Sequence, residues 1–288
     1  MLKYILFLLS EEYYKVVYQR KSEICENIRP KQVEIKVKRA AEIQKSGGEA
    51  HRLENRRFET LAITDIPDAA SQLLKEGWYV VALYHEGNRK ESFPSVQYGM
   101  EDIFQVEYQT YEAAYKRMAG LPWDIFETER LRVRESTVED VEAFYRIYSE
   151  PSVTFYMEDL YEDKELEQDY MKAYIDQIYG FYGYGLWSVL LKETGRVIGR
   201  AGLSVRKGYE LPELGFVIDV THQHKGYGFE VCTAILAYAK KELAFGQVQA
   251  LVDKDNLVSK KLLDKLGFIF DSRVSVECHN YELFIRTL

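Results

Sequence analysis

Cysteine is scarce in this chain of 288 residues: Cys25, Cys232 and Cys278 are the whole supply, and no two of them form a CxxC pair. An odd number scattered so widely does not make a disulfide framework, so a reducing, cytoplasmic setting is expected. Long apolar runs are also missing from the start of the chain. The opening stretch holds one of six residues, Tyr4 to Leu9, and no small-residue cleavage site follows it. That is far short of the ~20 apolar residues needed to cross a bilayer, and it makes a poor signal peptide, so a soluble protein with no membrane partner is expected. Basic excess is absent as well. The formal net charge is −8, split as −1 before Phe126 and −7 from there on, which argues against nucleic acid as a partner, since such proteins carry a basic face to displace counterions.

What is present is enough apolar residue, 47%, for two ordinary domains. The reading divides the chain into residues 1–125, a small α/β domain, and residues 126–288. Leu2, Ile5, Leu6, Leu9, Tyr13, Val16, Val17 and Ile24 recur at helical spacing, which predicts an amphipathic helix, with a short first strand as the alternative. From Gln32 to Ile43 the pattern is mixed: Val33, Ile35 and Val37 alternate like a strand and AAEI reads as helix. Ser46-Gly47-Gly48 marks a loop. Thr60 to Thr64, a helix opened by Asp65 and Pro67 and ended by Gly77, and Trp78 to Tyr84 form a parallel β-α-β unit. A further helix covers Glu107 to Ala119. Asp65 reads as a helix cap; the alternative, a catalytic carboxylate at a strand end, lacks a second acid two residues on, where Pro67 stands. His85, Glu86 and Asn88 follow a strand at the end where α/β sheets bind ligands, though any polar connection looks the same.

In the second half, Leu131 and Val133 alternate with Arg130, Arg132 and Arg134 as in a half-buried strand. Ser136 and Glu139 have capping-box spacing ahead of a helix running to Pro151. A helix from Asp163 to Tyr179, a hairpin turning at Glu193-Thr194-Gly195, and a strand from Leu211 to Val220 follow. Then come a glycine loop, a helix to Leu243, the strand Val248 to Val252, a helix to Leu266 and two closing strands. The order is β-α-α-β-β-β-α-β-α-β-β.

The sharpest signal is Gln223-His224-Lys225-Gly226-Tyr227-Gly228, placed after one strand and opening the next helix. Glycines there let backbone approach a ligand, and the free N–H groups of a first helical turn form a phosphate site. Glycines at a helix start are by themselves a weak motif. Neither a P-loop GxxxxGK[ST] nor a Rossmann GxGxxG is present to explain the loop. The loop instead resembles the Q/R-x-x-G-x-G/A loop of GNAT acetyltransferases. The resemblance runs from Glu127 to Leu288: ETERLRVRE is similar to the first strand of the branch containing ribosomal-protein N-terminal acetyltransferases, ELGFVIDVTHQHKGYGFE to the fourth strand, loop and third helix, and DNLVSKKLLDKLGF to the N-x-x-S-x-x-L-x-x-x-G-F signature after the fifth strand.

The resemblance implies a fold class: an α/β (α+β) chain whose C-terminal GNAT fold has a mixed, splayed sheet, preceded by the small α/β domain. It implies an N-acetyltransferase that uses acetyl-CoA, with the pyrophosphate cradled by residues 223–228. It implies that Phe216, Val217 and Ile218 bond pantetheine through their peptide groups, with an N–H that polarises the thioester carbonyl. Asn256 would bond the same arm from the other wall, and Ser259 would lie near the sulfur; helix capping is the competing reading for both. The acceptor would be a small-molecule or peptide amine attacking directly in a ternary complex. Such an amine, with a pKa near ~10, has to lose a proton, and the leaving thiolate benefits from a donor. Glu213 is the candidate base, with a structural carboxylate as its other reading; Ser259 is the candidate acid, with Tyr227 or another tyrosine as the alternative.

His222 and His224 lack neighbours to complete a metal site, so no metal is expected. Cys232 falls on a stripe with Leu236, Ala239 and Leu243 that reads as a buried helix face. Glu158 to Asp169 contains seven acids and one lysine; it either draws a cationic acceptor to the cleft or is a solvated helix face. The second function class is a non-catalytic acyl-CoA-binding sensor that reports cofactor level to the first domain.

Overall fold

The computed structural model describes residues 1–28, 33–43, 55–157, 159–276 and 279–288. The Ser46-Gly47-Gly48 loop, Glu158 and Cys278 lie outside them. The chain divides into two compact units, residues 1–123 and 124–288.

The first unit is a five-stranded, all-parallel sheet. Its strands are β1 (Tyr4–Leu9), β2 (Glu34–Arg39), β3 (Thr60–Thr64), β4 (Tyr79–Leu83) and β5 (Tyr98–Met100), in the order β2-β1-β3-β4-β5. From Leu2 to Ile24 the alternative, a short first strand, holds in place of one continuous helix. The strand is β1, followed by α1 (Glu11–Gln19) and α2 (Lys21–Ile28). The reason is burial on two sides: Ile5, Phe7 and Leu9 pack with α1, α2 and α4 (Tyr108–Met118), while Leu6 and Leu8 pack on the other face with Ala70 and Leu73 of α3 (Pro67–Lys75). A central parallel strand is apolar on both faces, so it loses the period-2 signal that distinguishes a strand in sequence. The mixed stretch after Gln32 becomes β2 with one helical turn behind it. The β-α-β unit forms as expected and is parallel. Strand β5 was not anticipated.

The second unit is an eight-stranded mixed sheet. Its strands are β6 (Asp124–Glu127), β7 (Leu131–Arg134), β8 (Leu186–Leu191), β9 (Val197–Ser204), β10 (Glu213–Ile218), β11 (Gln247–Asp253), β12 (Ile269–Val276) and β13 (His279–Thr287), in the order β12-β13-β11-β10-β9-β8-β7-β6. On one face lie α5 (Val141–Tyr148) and α6 (Lys164–Tyr174), through Val141, Phe144, Ile147 and Met171 against Leu190 and Val217. On the other lie α7 (Tyr227–Lys241) and α8 (Leu257–Lys265), through Val231, Cys232, Ile235 and Leu263 against Trp187, Ala201 and Val248. The expected element order holds, with β6 added at the edge. Past Tyr174 the helix widens into a π turn, Ile175–Tyr179.

The capping box sits one residue later than Ser136 and Glu139 predict. Thr137 and Asp140 form it, because Asp140 is buried and its carboxylate takes two bonds from Arg134, at 2.6 and 2.8 Å, and one from Ser188 at 2.7 Å. Ser136 is buried beside Ser188 and donates its N–H to the Tyr179 hydroxyl at 3.1 Å.

Strands β8 and β9 approach so closely at Gly202 that a Cβ there would fall on the carbonyl of Gly185 and within 2.9 Å of the Leu186 Cα. Backbone cannot step aside as a side chain would. Gly202→Ala is therefore expected to destabilise by about 1–3 kcal/mol, the usual cost of overpacking, read as a lower denaturant midpoint by tryptophan fluorescence; an unchanged midpoint would refute the close contact.

Candidate functional site

Strands β10 and β11 are the parallel neighbours within the second sheet, and they part almost at once. Their register consists of a single pair, Glu213 with Gln249, whereas β10 pairs with β9 from Glu213 to Ile218. The Gln249 N–H reaches the Pro212 carbonyl at 2.9 Å, and the Asp219 N–H reaches the Ile198 carbonyl at 2.8 Å. Peptide groups alternate in direction along a strand. Even-numbered residues of β10 thus face β11 and odd-numbered ones face β9. Beyond Leu214 the β11 side is an open gap, and the N–H and C=O of Phe216 and the N–H of Ile218 point into it. Val217 departs from expectation, since its peptide groups turn to β9, opposite Arg200.

The carbonyl of Ile218 accepts from the Gln223 amide at 2.9 Å, which ties the glycine loop to the end of β10. Between them a single 3-10 turn, Val220–His222, is capped by Asp219, whose carboxylate takes the Thr221 N–H at 2.9 Å and hydroxyl at 2.7 Å. Burial works to raise the Asp219 pKa, but those bonds, with His222 and Arg196 nearby, hold it below the ordinary value. His224 and Gly226 then take left-handed backbone, φ 59° and 84°, and Gly226 is the residue before α7. These two reversals turn the chain so that α7 starts beside the gap. The N–H groups of Tyr227, Gly228 and Phe229, in its first turn, have no intrahelical acceptor. Lys225 folds back on the loop and donates to the Thr221 carbonyl at 2.7 Å.

A clamp that sequence reasoning did not find holds this loop. Arg130 donates to the Lys225 carbonyl at 3.0 Å, lies 4.3 Å from the centre of the Tyr227 ring and pairs with Glu230 at 2.6 Å. Glu230 also accepts from the Thr128 hydroxyl at 2.6 Å and the Arg130 N–H at 3.0 Å. Burial pushes the Glu230 pKa up, yet the Thr128 and Arg130 bonds more than offset it and keep the carboxyl below its ordinary value. Arg130 reads in sequence as one of several polar positions of a half-buried strand, and nothing there points to a partner one hundred positions on.

The far wall of the gap is the start of α8. Because β10 and β11 run parallel, both following helices begin at the same end of the sheet, so two positive helix ends flank one opening. Asn256 caps α8 by accepting the Ser259 N–H at 3.0 Å, which leaves its Nδ2 donors for other partners. Ser259 is half-buried. Tyr156, in the connection between α5 and α6, donates to the Asp255 carbonyl at 3.3 Å and brings that connection to the same wall.

Glu213 is buried at the point of parting, and both of its oxygens accept from Arg206, one of them at 3.1 Å. Along the acidic run, Asp163 caps α6, Asp169 pairs with Lys172, and Glu167 is buried. Glu162 and Glu165 are exposed. Cys232 is fully buried in α7, and burial pushes its thiol pKa up, as a packed helix face requires.

In the first unit the strand order reverses between β1 and β3, and the residues after those strands, Ser10 and Asp65, meet there. The Asp65 carboxylate accepts the Ser10 N–H at 2.8 Å and hydroxyl at 2.5 Å. His85 Nε2 lies 3.2 Å from the same group, and the His85 ring stacks on Tyr13 at 4.1 Å. The cap reading of Asp65 is overturned: Ile66 is the N-cap of α3, with no side-chain bond, while Asp65 is spent on Ser10 and His85. Asn88 is buried and bonds the Asp65 and Leu83 carbonyls at 3.1 and 2.8 Å.

Residues 130–269 match the family model of the acetyltransferase (GNAT) domain, and the second unit belongs to that family. The chain is 28% identical over 151 residues to the uncharacterised N-acetyltransferase YoaA of Bacillus subtilis, covering 50% of this chain and 82% of that protein. It is 29% identical over 143 residues to the uncharacterised N-acetyltransferase p20 of Bacillus licheniformis, covering 49% and 80%. A solved structure of RimL, a ribosomal L7/L12 α-N-protein acetyltransferase, is similar in fold with a TM-score of 0.50 at 11% identity, covering 58% of this chain and 96% of RimL. The unit is thus an acyltransferase, and the family's acyl donor is acetyl-CoA. The site fits such a donor: unpaired peptide groups line a gap between strands, and a turn of free N–H groups stands at its end.

The clamp has a pH signature. With its folded pKa depressed, Glu230 contributes stability that is fully present above the unfolded value of ~4.3 and is lost as pH falls through the folded value. The difference in denaturation midpoint between wild type and Glu230→Gln should therefore be largest near neutral pH and shrink below about pH 4; a difference that grows toward acid would contradict the clamp.

Proposed function

We propose that the second unit transfers the acetyl group of acetyl-CoA to a primary amine, of a small molecule or a peptide, by direct attack in a ternary complex. The observation that carries this reading is the gap between β10 and β11, where Phe216 offers an N–H and a C=O to an extended ligand much as a neighbouring strand would. Residues 223–228 then cradle the pyrophosphate with the N–H groups at the start of α7. Asn256 Nδ2 bonds the pantetheine arm from the α8 side, and the N–H of Phe216 or Ile218 stabilises charge on the thioester oxygen. Acetyl-CoA supplies the activated acetyl group.

The amine must reach the carbonyl unprotonated. Glu213 has both oxygens engaged by Arg206, so we assign that pair to holding the start of the splay and assign removal of the amine proton to water in the cleft. Ser259, one turn into α8, is the proton donor for the leaving thiolate. The exposed carboxylates Glu162 and Glu165 act through their field on a positively charged amine as it approaches.

Two measurements test the assignment. Gly226→Asp sets a carboxylate where the pyrophosphate belongs and should abolish acetyl-CoA binding by calorimetry, together with acceptor-dependent thiol release; tight binding by the folded variant would overturn the loop's role. For Glu213→Gln we expect kcat to change by less than about tenfold between pH 6 and 9. A loss on the order of 10²–10⁴ that shrinks as pH rises would instead identify Glu213 as the base.

A further inference from the structure

Arg200 lies in the middle of β9, opposite Ser188 on β8 and Val217 on β10, and is 6% exposed. It is on the α5–α6 face, where Val217 packs. Its guanidinium is 5.0 Å from the centre of the Phe144 ring and 5.3 Å from that of Tyr174, with Tyr148 among its neighbours. Among the described residues, Nε and Nη2 have no hydrogen-bond partner, and neither has contact with solvent. Among the described residues no carboxylate pairs with it. Arg134, two strands away in the same sheet, shows the usual solution, a bidentate grip on Asp140.

A guanidinium taken out of water and left unpaired is strongly disfavoured unless something completes it. Nε and Nη2 form one edge of the guanidinium plane, the edge that a carboxylate bridges with two parallel bonds. A phosphate dianion would leave surplus negative charge among the aromatic rings that surround the guanidinium. One carboxylate neutralises one guanidinium.

We propose that Arg200 anchors a carboxylate of the acceptor, so that the acceptor class is an amino carboxylic acid. This rests on the transferase reading of the same unit. Phe216, whose peptide groups face the gap, is next along the chain to Val217, the β10 neighbour of Arg200, and neighbouring strands are about 5 Å apart, so an amine reaching the gap from a carboxylate on Arg200 belongs to a small molecule. Both donors are sealed in this fold, so occupancy requires a side chain on the α5–α6 face to move aside.

The test uses the full-length protein and a series of α- and ω-amino acids, each paired with its carboxamide. Acetyl-CoA binding is measured first by calorimetry; if it is absent, the transferase reading fails and the acceptor assignment falls with it. With binding established, at least one amino acid should exceed its carboxamide tenfold or more in kcat/KM. Arg200→Gln should erase that preference with little change in KM for acetyl-CoA, and Arg200→Lys, which keeps the charge without the fork, should retain only part of it. Carboxamides that serve as well as acids in the wild type overturn the proposal, a comparison that needs no variant to fold. A preference that survives intact in folded Arg200→Gln overturns it as well.

Discussion

The second unit is organised around a pairing that is withheld. Parallel strands that start in register at Glu213 and Gln249 separate immediately, and peptide groups are left unpaired inside a sheet, where nearly every such group finds a partner. The separation requires strong support around it. Arg206 fixes Glu213 at the fork, Gln223 caps the Ile218 carbonyl, and β11 takes its full complement of bonds from β13 instead, from Gln247 to Asp253. The rest of the sheet is continuous, so the opening is local and its position is set by the last pair before it.

Much of this was legible in the sequence because the pieces concerned are local. The glycine loop, the strand before it and the Asn256–Ser259 helix start each carry their signal within a dozen residues. What was not legible depends on pairing between distant segments. Which of Phe216, Val217 and Ile218 faces the gap is decided by register, not composition, and the structure turns Val217 away. Arg130, Arg206 and Arg200 look alike in sequence as charged residues in or beside strands, yet one clamps a loop, one locks a carboxylate and one is buried with no carboxylate partner among the described residues. In the first unit, β1 was obscured because burial on both faces removed its alternation, and Asp65 was read as a cap because its true partner, Ser10, is 55 positions earlier.

That first unit has its own organising constraint. The strand order β2-β1-β3-β4-β5 places one reversal between β1 and β3, the position at which open parallel sheets leave a crevice at their carboxyl ends. Here Ser10, Asp65, His85 and Asn88 close a mutual hydrogen-bond network with Tyr13 stacked over it, and every oxygen of the Asp65 carboxylate is taken. The polar groups at this edge thus fix three loops to one another.

The clamp of Thr128, Arg130 and Glu230 has a consequence for how such a chain can change over generations. Two segments one hundred residues apart share one carboxylate, two donors to it and a carbonyl of the loop between them. Loss of any single member leaves the others to pair with water and removes one tie on the loop. Recombination that replaced the opening segment without the third helix, or the reverse, would break the set, whereas an exchange that moves both together keeps the loop's hold.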